Sequence, residues 1–247
     1  MTARLLRWLA AALVWGGLAS GVAAAADPEY RVEPQAASAR ELRTRFAPDE
    51  LALLEKLNRA GVNNLHRLKQ LVIPSTWDEM AHSPFPSLYP VAADLAKMLV
   101  IDQPSQAFAA YERGRLVRWG PVSTGRKAAP TPSGLFQLNW RARSRVSTID
   151  DTWLLEWYFN FDDGDGLALH KYDLPGLPAS HGCVRLLERD AMWLFEWGET
   201  GTPVWIVGAY QFGATPPWRI LEFLSRGVTL PEEHQVAPRL LSFRKGG

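Results

Sequence analysis

Leu169-His170-Lys171-Tyr172-Asp173-Leu174-Pro175-Gly176-Leu177-Pro178-Ala179-Ser180-His181-Gly182-Cys183-Val184-Arg185-Leu186 is the stretch on which the reading of this chain turns. Two short arms, Leu167–His170 and Cys183–Leu186, read as strands, and the Pro/Gly loop between them lets the second return beside the first. Together they hold two of the chain's five His, its only Cys and an Arg. A thiolate is a nucleophile, an imidazole can take its proton and hold the pair as thiolate and imidazolium, and backbone N–H groups around a glycine can receive an oxyanion. Spacing alone leaves the base open. If Cys183 opens a strand, His181 and Arg185 share its face at ~7 Å along the chain, whereas His170 reaches it only across the fold.

Other chemistries fit the cluster less well. His170, His181 and Cys183 are all competent zinc ligands, but His-x-Cys is not a structural zinc spacing and no fourth ligand is near. No metal or cofactor is therefore expected. Asp162-Asp163-Gly164-Asp165-Gly166 lacks the spaced acids and closing Glu of a calcium loop and reads as a turn before the His170 strand.

Outward from this stretch, residues 95–210 read as a mostly β domain. Strands are predicted at Met98–Asp102, Ala107–Tyr111, Arg115–Trp119, Leu135–Trp140, Trp153–Phe161, Leu167–His170, Cys183–Leu186 and Pro203–Val207, with Arg113-Gly114 as a hairpin turn. Glu188 to Trp197 has helical spacing, with Trp193 and Trp197 one turn apart and Gly198 as its stop. The aromatic residues Trp119, Trp140, Trp153, Trp157, Tyr158, Phe159 and Phe161 are mostly core filling, with Trp153 and Trp157 as the two that would line a substrate groove. Residues 211–247 form a C-terminal extension with one helix expected over Trp218–Ser225.

Towards the N-terminus, Tyr30-Arg31-Val32 and Leu71-Val72-Ile73-Pro74 read as strands around two helices, the second starting at Pro48-Asp49-Glu50 and capped by Gly61. Thr76 to Val91, with Pro84, Pro86 and Pro90, reads as a linker or wrapping loop over residues 75–94. Residues 1–26 read as a cleaved secretory signal. Arg4 and Arg7 precede an apolar run from Trp8 to Ala19, and Ala24-Ala25-Ala26 offers a small-residue cleavage site before Asp27. The chain is then exported to the periplasm or cell envelope, with no membrane span after cleavage.

Composition agrees with an ordinary globular protein. The 247 residues carry 27 Lys+Arg against 26 Asp+Glu, and 47% are hydrophobic. A net charge of +1 with scattered basic residues gives no footprint for nucleic acid, and one Cys cannot form an internal disulfide. In an oxidising compartment an unpaired thiol is a liability unless it is buried or used, so Cys183 becomes a suspect.

Ser180-His181-Gly182-Cys183-Val184-Arg185-Leu186, preceded by a strand ending in His170 and further back by Val122-Ser123-Thr124-Gly125 and Pro130-Thr131-Pro132-Ser133-Gly134, resembles the L,D-transpeptidase (YkuD-type) catalytic domain. The resemblance spans roughly residues 96 to 208, and Gly201-Thr202-Pro203-Val204 is similar to that family's final strand. It implies a sandwich-like β fold with one or two short helices. It also implies Cys183 as nucleophile, His170 as general base, Arg185 as the group that orients substrate, and Ser180, His181 and Gly182 as the loop flanking the nucleophile. The residue after the base, usually Gly and here Lys171, lends its carbonyl to orient the imidazole. The implied substrates are peptidoglycan stem peptides. A thioester acyl-enzyme forms with loss of a terminal D-amino acid, and an amine then gives transpeptidation while water gives L,D-carboxypeptidase activity.

Residues 30–74 resemble a degenerate LysM module, a small α/β unit of a family that binds glycans containing N-acetylglucosamine. Glycan strands are therefore a second expected partner, although Gln35-Ala36-Ala37 stands where such modules usually turn with Gly-Asp. The alternative is a non-catalytic peptidoglycan-binding protein whose transpeptidase domain has degenerated at Lys171.

Overall fold

The structure is a computed structural model that describes residues 29–36 and 38–232. The expected leader, residues 1–26, and the last part of the C-terminal extension lie outside the described residues. The first unit comprises β1 (Tyr30–Pro34), α1 (Ala39–Arg45), α2 (Pro48–Asn58), α3 (Val62–Leu65) and β2 (Gln70–Pro74). β1 and β2 pair antiparallel, and the helices pack Leu42, Leu54 and Leu65 against Leu71 and Ile73 of β2. Pro48 opens α2, where Glu50 accepts the Ala47 N–H at 2.9 Å and so satisfies a donor the helix itself leaves free. The cap expected at Gly61 falls instead to Arg59, which takes the left-handed conformation with φ 57°. That costs a non-glycine residue ~1–2 kcal/mol. The fully buried Arg59 side chain offsets it by donating from Nε to the Ser105 carbonyl at 2.7 Å.

The larger unit is one nine-stranded sheet. Its strands are β3 (Lys97–Asp102), β4 (Ala107–Glu112), β5 (Arg115–Ser123), β6 (Gly134–Gln137), β7 (Arg141–Val146), β8 (Leu154–Asp162), β9 (Leu167–Lys171), β10 (Val184–Leu186) and β11 (Pro203–Val207). They lie in the order β6-β11-β3-β4-β5-β10-β9-β8-β7. The sheet curls. Only two residue pairs join β5 to β10, Ser123 with Arg185 and Val122 with Leu186, and the two halves fold over at that seam. Phe136 of β6 meets Phe161 of β8 at 5.4 Å, and Asn139 and Trp140 exchange backbone hydrogen bonds with Asn160 as the chain passes between the halves. The core inside the curl includes Leu99, Phe108, Val122, Phe159, Leu169, Val184 and Ile206. α4 (Glu188–Trp197) covers it with Ala191 and Leu194, and the half-buried Trp193 and Trp197, stacked at 5.1 Å, pack against its margin.

Arg113 and Gly114 both take positive φ, 45° and 74°, as the expected hairpin turn demands. One strand escaped the sequence reading. β7 follows a break at Leu138–Trp140 and reads Arg-Ala-Arg-Ser-Arg-Val, which has no apolar face. It is an edge strand, where charge is tolerated and discourages pairing with other chains. Its arginines rest on aromatic faces: Arg143 lies 3.8 Å from the Trp157 ring centre and Arg145 5.0 Å from that of Trp140.

The outer face of β3–β5 is also covered. Phe85, Tyr89, Val91 and Leu95, with Leu53 and Leu57 of α2, bury Met98, Val100, Tyr111 and Trp119. Burying each large apolar side chain contributes about 1.5–3 kcal/mol, so the 75–94 segment is a packing layer and not a free tether. Two cations cross the same seam. Lys56 Nζ donates to the Trp119 carbonyl at 2.5 Å and to Glu79 at 2.6 Å, and Arg59 lies over the rings of Trp119 and Trp218. Beyond β11 the chain forms a single turn at Pro217–Arg219 and α5 (Leu221–Arg226). Among the described residues no helix is long and apolar enough to cross a membrane.

Candidate active site

β9 and β10 are neighbours and parallel, in the register Val184 with Leu169, Arg185 with His170 and Leu186 with Lys171. His170 and Arg185 stand side by side on one face, and Cys183, two residues before Arg185, takes the same face. Cys183, His170, Arg185, His181 and Ser180 line one slot, closed by Ile149, Trp153, Leu155 and Tyr172. The slot holds about 30 Å³, the share of a single water.

A bulge in β8 shapes that wall. Between the pairs Glu156 with Lys171 and Phe159 with Leu169, the two residues Trp157 and Tyr158 oppose the single residue His170. The extra residue reverses the alternation along β8. Leu155 and Trp153 therefore face the slot, and Trp157, at φ 55°, turns to the core against Phe195. Of the two aromatic residues expected in a groove, Trp153 lines it. Trp157 does not.

His170 is 4% exposed. Its Nδ1 lies 2.9 Å from the Lys171 carbonyl, which can only accept, so Nδ1 carries the proton and Nε2 keeps its lone pair. Lys171 does not have a positive φ and supplies the carbonyl from ordinary backbone, so no glycine is needed there. Its side chain leaves the slot to pair with Glu156 at 2.6 Å and Glu188 at 3.2 Å.

The loop that carries Cys183 is held from below. Thr131 Oγ1 accepts the Gly125 N–H and donates to the Gly182 carbonyl, both at 2.8 Å. Ser180 Oγ donates to the Cys183 carbonyl at 2.5 Å and accepts the Gly182 N–H at 3.1 Å. That N–H is therefore already engaged and is not a free oxyanion donor. Gly182 serves the backbone: its φ is +111°, and a Cβ there would meet Leu167 Cδ2 at 2.9 Å.

Burial sets the charges. It pushes the Cys183 thiol up, against a hydrogen bond with the Ala168 backbone and the charges of Arg185 and Arg145. Burial also holds His170 down to about 4; the Lys171 carbonyl opposes this and Arg185 adds to it. Burial therefore disfavours the charged form of each group, because neither charge is solvated. His181, 5.2 Å from Trp153 between ring centres, is likewise held down, by burial and then by Arg126 and Arg185. Arg185 makes no ion pair with any described residue, and its guanidinium lies 4.4 Å from the ring centre of Tyr172. Among the described residues, no group of three His, Cys, Asp or Glu is placed to hold a metal.

The depressed pKa of His170 makes stability depend on pH. Between pH 6.5 and about 4 the unfolded chain binds a proton at His170 that the folded chain does not. Stability is therefore fully present above pH 6.5 and falls as pH drops through that window, by about 3 kcal/mol from this one group. Urea unfolding at pH 7 and pH 4.5 should show the loss in the wild type and a smaller one in His170→Gln. Equal losses would contradict the assignment.

Residues 96–206 match the family model of the YkuD L,D-transpeptidase catalytic domain. That segment runs from the start of β3 almost to the end of β11 and contains every slot residue. Comparison with curated proteins finds no match. Among solved structures, the chain is similar to an L,D-transpeptidase from Stackebrandtia nassauensis, at 26% identity over 47% of this chain and 57% of that one, with a TM-score of 0.43. It is also similar to one from Mycobacterium tuberculosis H37Rv, at 24% over 46% and 58%, with a TM-score of 0.41. One from Mycobacterium smegmatis has 20% identity over 46% and 59%, with a TM-score of 0.42. The chain thus spans less than two thirds of each of these structures.

Proposed function

We propose that this chain is an exported, cysteine-dependent L,D-transpeptidase that acts on peptidoglycan stem peptides through a thioester acyl-enzyme, for cross-linking, attachment or trimming. The observation that carries the reading is the convergence of Cys183, His170 and Arg185 in one slot within the segment that matches the family. Export rests on the leader-like residues 1–26, and a glycan-binding role for residues 30–74 rests on their resemblance to a LysM module.

The chemistry follows from the resting charges. As Cys183 Sγ bonds to the carbonyl carbon of the donor's third residue, its proton passes to His170 Nε2. The imidazolium so formed donates that proton to the nitrogen of the departing D-amino acid when the C–N bond breaks. Charge develops on sulfur only during attack, where Arg185 is close enough to stabilise it. An amine then displaces sulfur from the thioester to give a cross-link or attachment, and water gives the trimmed peptide. The narrow, apolar walls limit the access of bulk water.

The test is mass spectrometry of muropeptides incubated with the purified protein, in which new 3–3 cross-links or shortened stems are expected and unchanged stems would reject the reading. A carbapenem offers an independent probe, since it presents a strained acyl group beside a carboxylate. The wild type should gain the inhibitor's mass and Cys183→Ala should not. Arg185→Ala should slow the gain about tenfold by removing a charge-assisted contact. A folded wild type that stays unmodified after prolonged exposure would favour the non-catalytic alternative.

A further inference from the structure

The loop from Tyr172 to Gly182 carries the chain from His170 on β9 to Cys183, so its course sets how the two arms of the slot meet. The β unit holds its second half. Ser123 Oγ donates to the Leu177 carbonyl at 2.7 Å and accepts the Ala179 N–H at 3.1 Å, and the Thr124 carbonyl accepts the N–H groups of Ala179 and Ser180, both at 3.0 Å. The first half is held by the N-terminal unit. Asn64 Nδ2, in α3, donates to Asp173 Oδ1 at 2.5 Å and to the Leu174 carbonyl at 3.0 Å. The Gly61 N–H donates to the same carbonyl at 2.9 Å, and Ala60 bridges to Pro175. Asn64 is 3% exposed and its Oδ1 accepts from Arg67 at 3.2 Å, so both ends of the amide are engaged.

Tyr172 stands directly before these anchors, and its ring is a contact that several slot residues share. It lies 4.4 Å from the Arg185 guanidinium and, between ring centres, 6.0 Å from His170 and 6.3 Å from Trp153. Arg185 makes no ion pair among the described residues, so the Tyr172 face is the surface on which its guanidinium rests. Burial pushes Arg185 below its usual range, and Tyr172 first, then Asp173 and Cys183, oppose it. The residues that steady Arg185 are therefore the ones that the N-terminal unit ties down.

We infer that Asn64 is a positioning residue for the slot: from the N-terminal unit it anchors Asp173 and Leu174, and so holds the Tyr172 ring where Arg185 and His170 meet it. The inference rests on the transpeptidase reading above. A loop fixed only along its second half would let Tyr172 swing, and Arg185 would lose the surface that aims it at a substrate carboxylate. The N-terminal unit thus serves the reaction without touching substrate.

The experiment follows the mass gained by the intact protein from a carbapenem as its concentration is varied, which separates the half-saturating concentration from the maximal rate. Asn64→Ala should raise the half-saturating concentration about fivefold, part of what losing Arg185 itself costs, and change the maximal rate less. A purely structural role would lower the melting temperature and leave the half-saturating concentration of the folded protein unmoved. Should Asn64→Ala not fold, Asp173 carries the test from an exposed position. Asp173→Ala removes the acceptor and should weaken saturation likewise, whereas Asp173→Asn keeps an acceptor for Asn64 and should recover most of the loss. In an Arg185→Ala background, Asn64→Ala should cost nothing further. Wild-type saturation in both Asn64→Ala and Asp173→Ala would overturn the proposal. Equal losses in Asp173→Ala and Asp173→Asn would overturn it too, since charge and not the anchor would then be at work, as would full additivity with Arg185→Ala. A wild type that gains no inhibitor mass would instead overturn the underlying reading.

Discussion

Cys183→Ala should remove turnover, by on the order of 10⁴-fold or more, because it takes away the one thiol of the chain, on which the thioester is formed. The fold should survive. Cys183 lies just before β10 and is partly exposed, and trimming its sulfur deletes a contact with the core and the hydrogen bond to the Ala168 backbone, roughly 1–2 kcal/mol, while leaving the Thr131 and Ser180 hydrogen bonds of the loop in place. The elevated thiol adds a second signature. Alkylation of Cys183 should be slow at neutral pH and should climb steadily as pH rises above 9, whereas a resting thiolate would react at a nearly constant rate across that range. Residual activity in Cys183→Ala, read by donor consumption, would sink the mechanism.

His170→Ala should slow acylation by ~100-fold or more, the usual cost of losing a general base. His181→Ala should cost far less, since His181 packs against Trp153 and has no carbonyl that fixes its tautomer. The pH profile discriminates further. With His170 held down to about 4, the base stays unprotonated across the neutral range, so the acid limb of kcat/KM should lie near pH 4 and not near 6.5. A limb at 6.5 that vanishes in His181→Ala would reverse the assignment.

The parts legible in the sequence were those that rest on local pattern. Short apolar runs set off by turn residues marked most of the strands, Arg113-Gly114 marked its turn, and Trp193 with Trp197 marked one face of α4. β7 was hidden because Arg143 and Arg145 look like loop residues until Trp157 and Tyr158 of the neighbouring strand, with Trp140 just before β7, are brought beneath them. The pairing of His170 with Arg185 was hidden for a related reason: it is a property of parallel register, which no spacing along one strand encodes. Trp157 was misplaced because a single bulged residue exchanges the two faces of a strand. The cap at Arg59 could not be read either, since its left-handed backbone depends on a carbonyl forty-six residues away.

Lys56 and Arg59 bear on the ancestry of the chain as well as its stability. Domains joined like beads on a string can be shuffled between genes, because each brings its own complete set of partners. Here the cations belong to one unit and the carbonyls that receive them, at Trp119 and Ser105, belong to the other. A recombination event that exchanged the first seventy-odd residues would carry two charges into a surface never shaped to accept them, or leave two buried carbonyls without donors. Either outcome is costly enough to be purged. The two units are therefore expected to descend together as one heritable piece, and a replacement N-terminal module would need to bring its own pair of buried cations at matching positions.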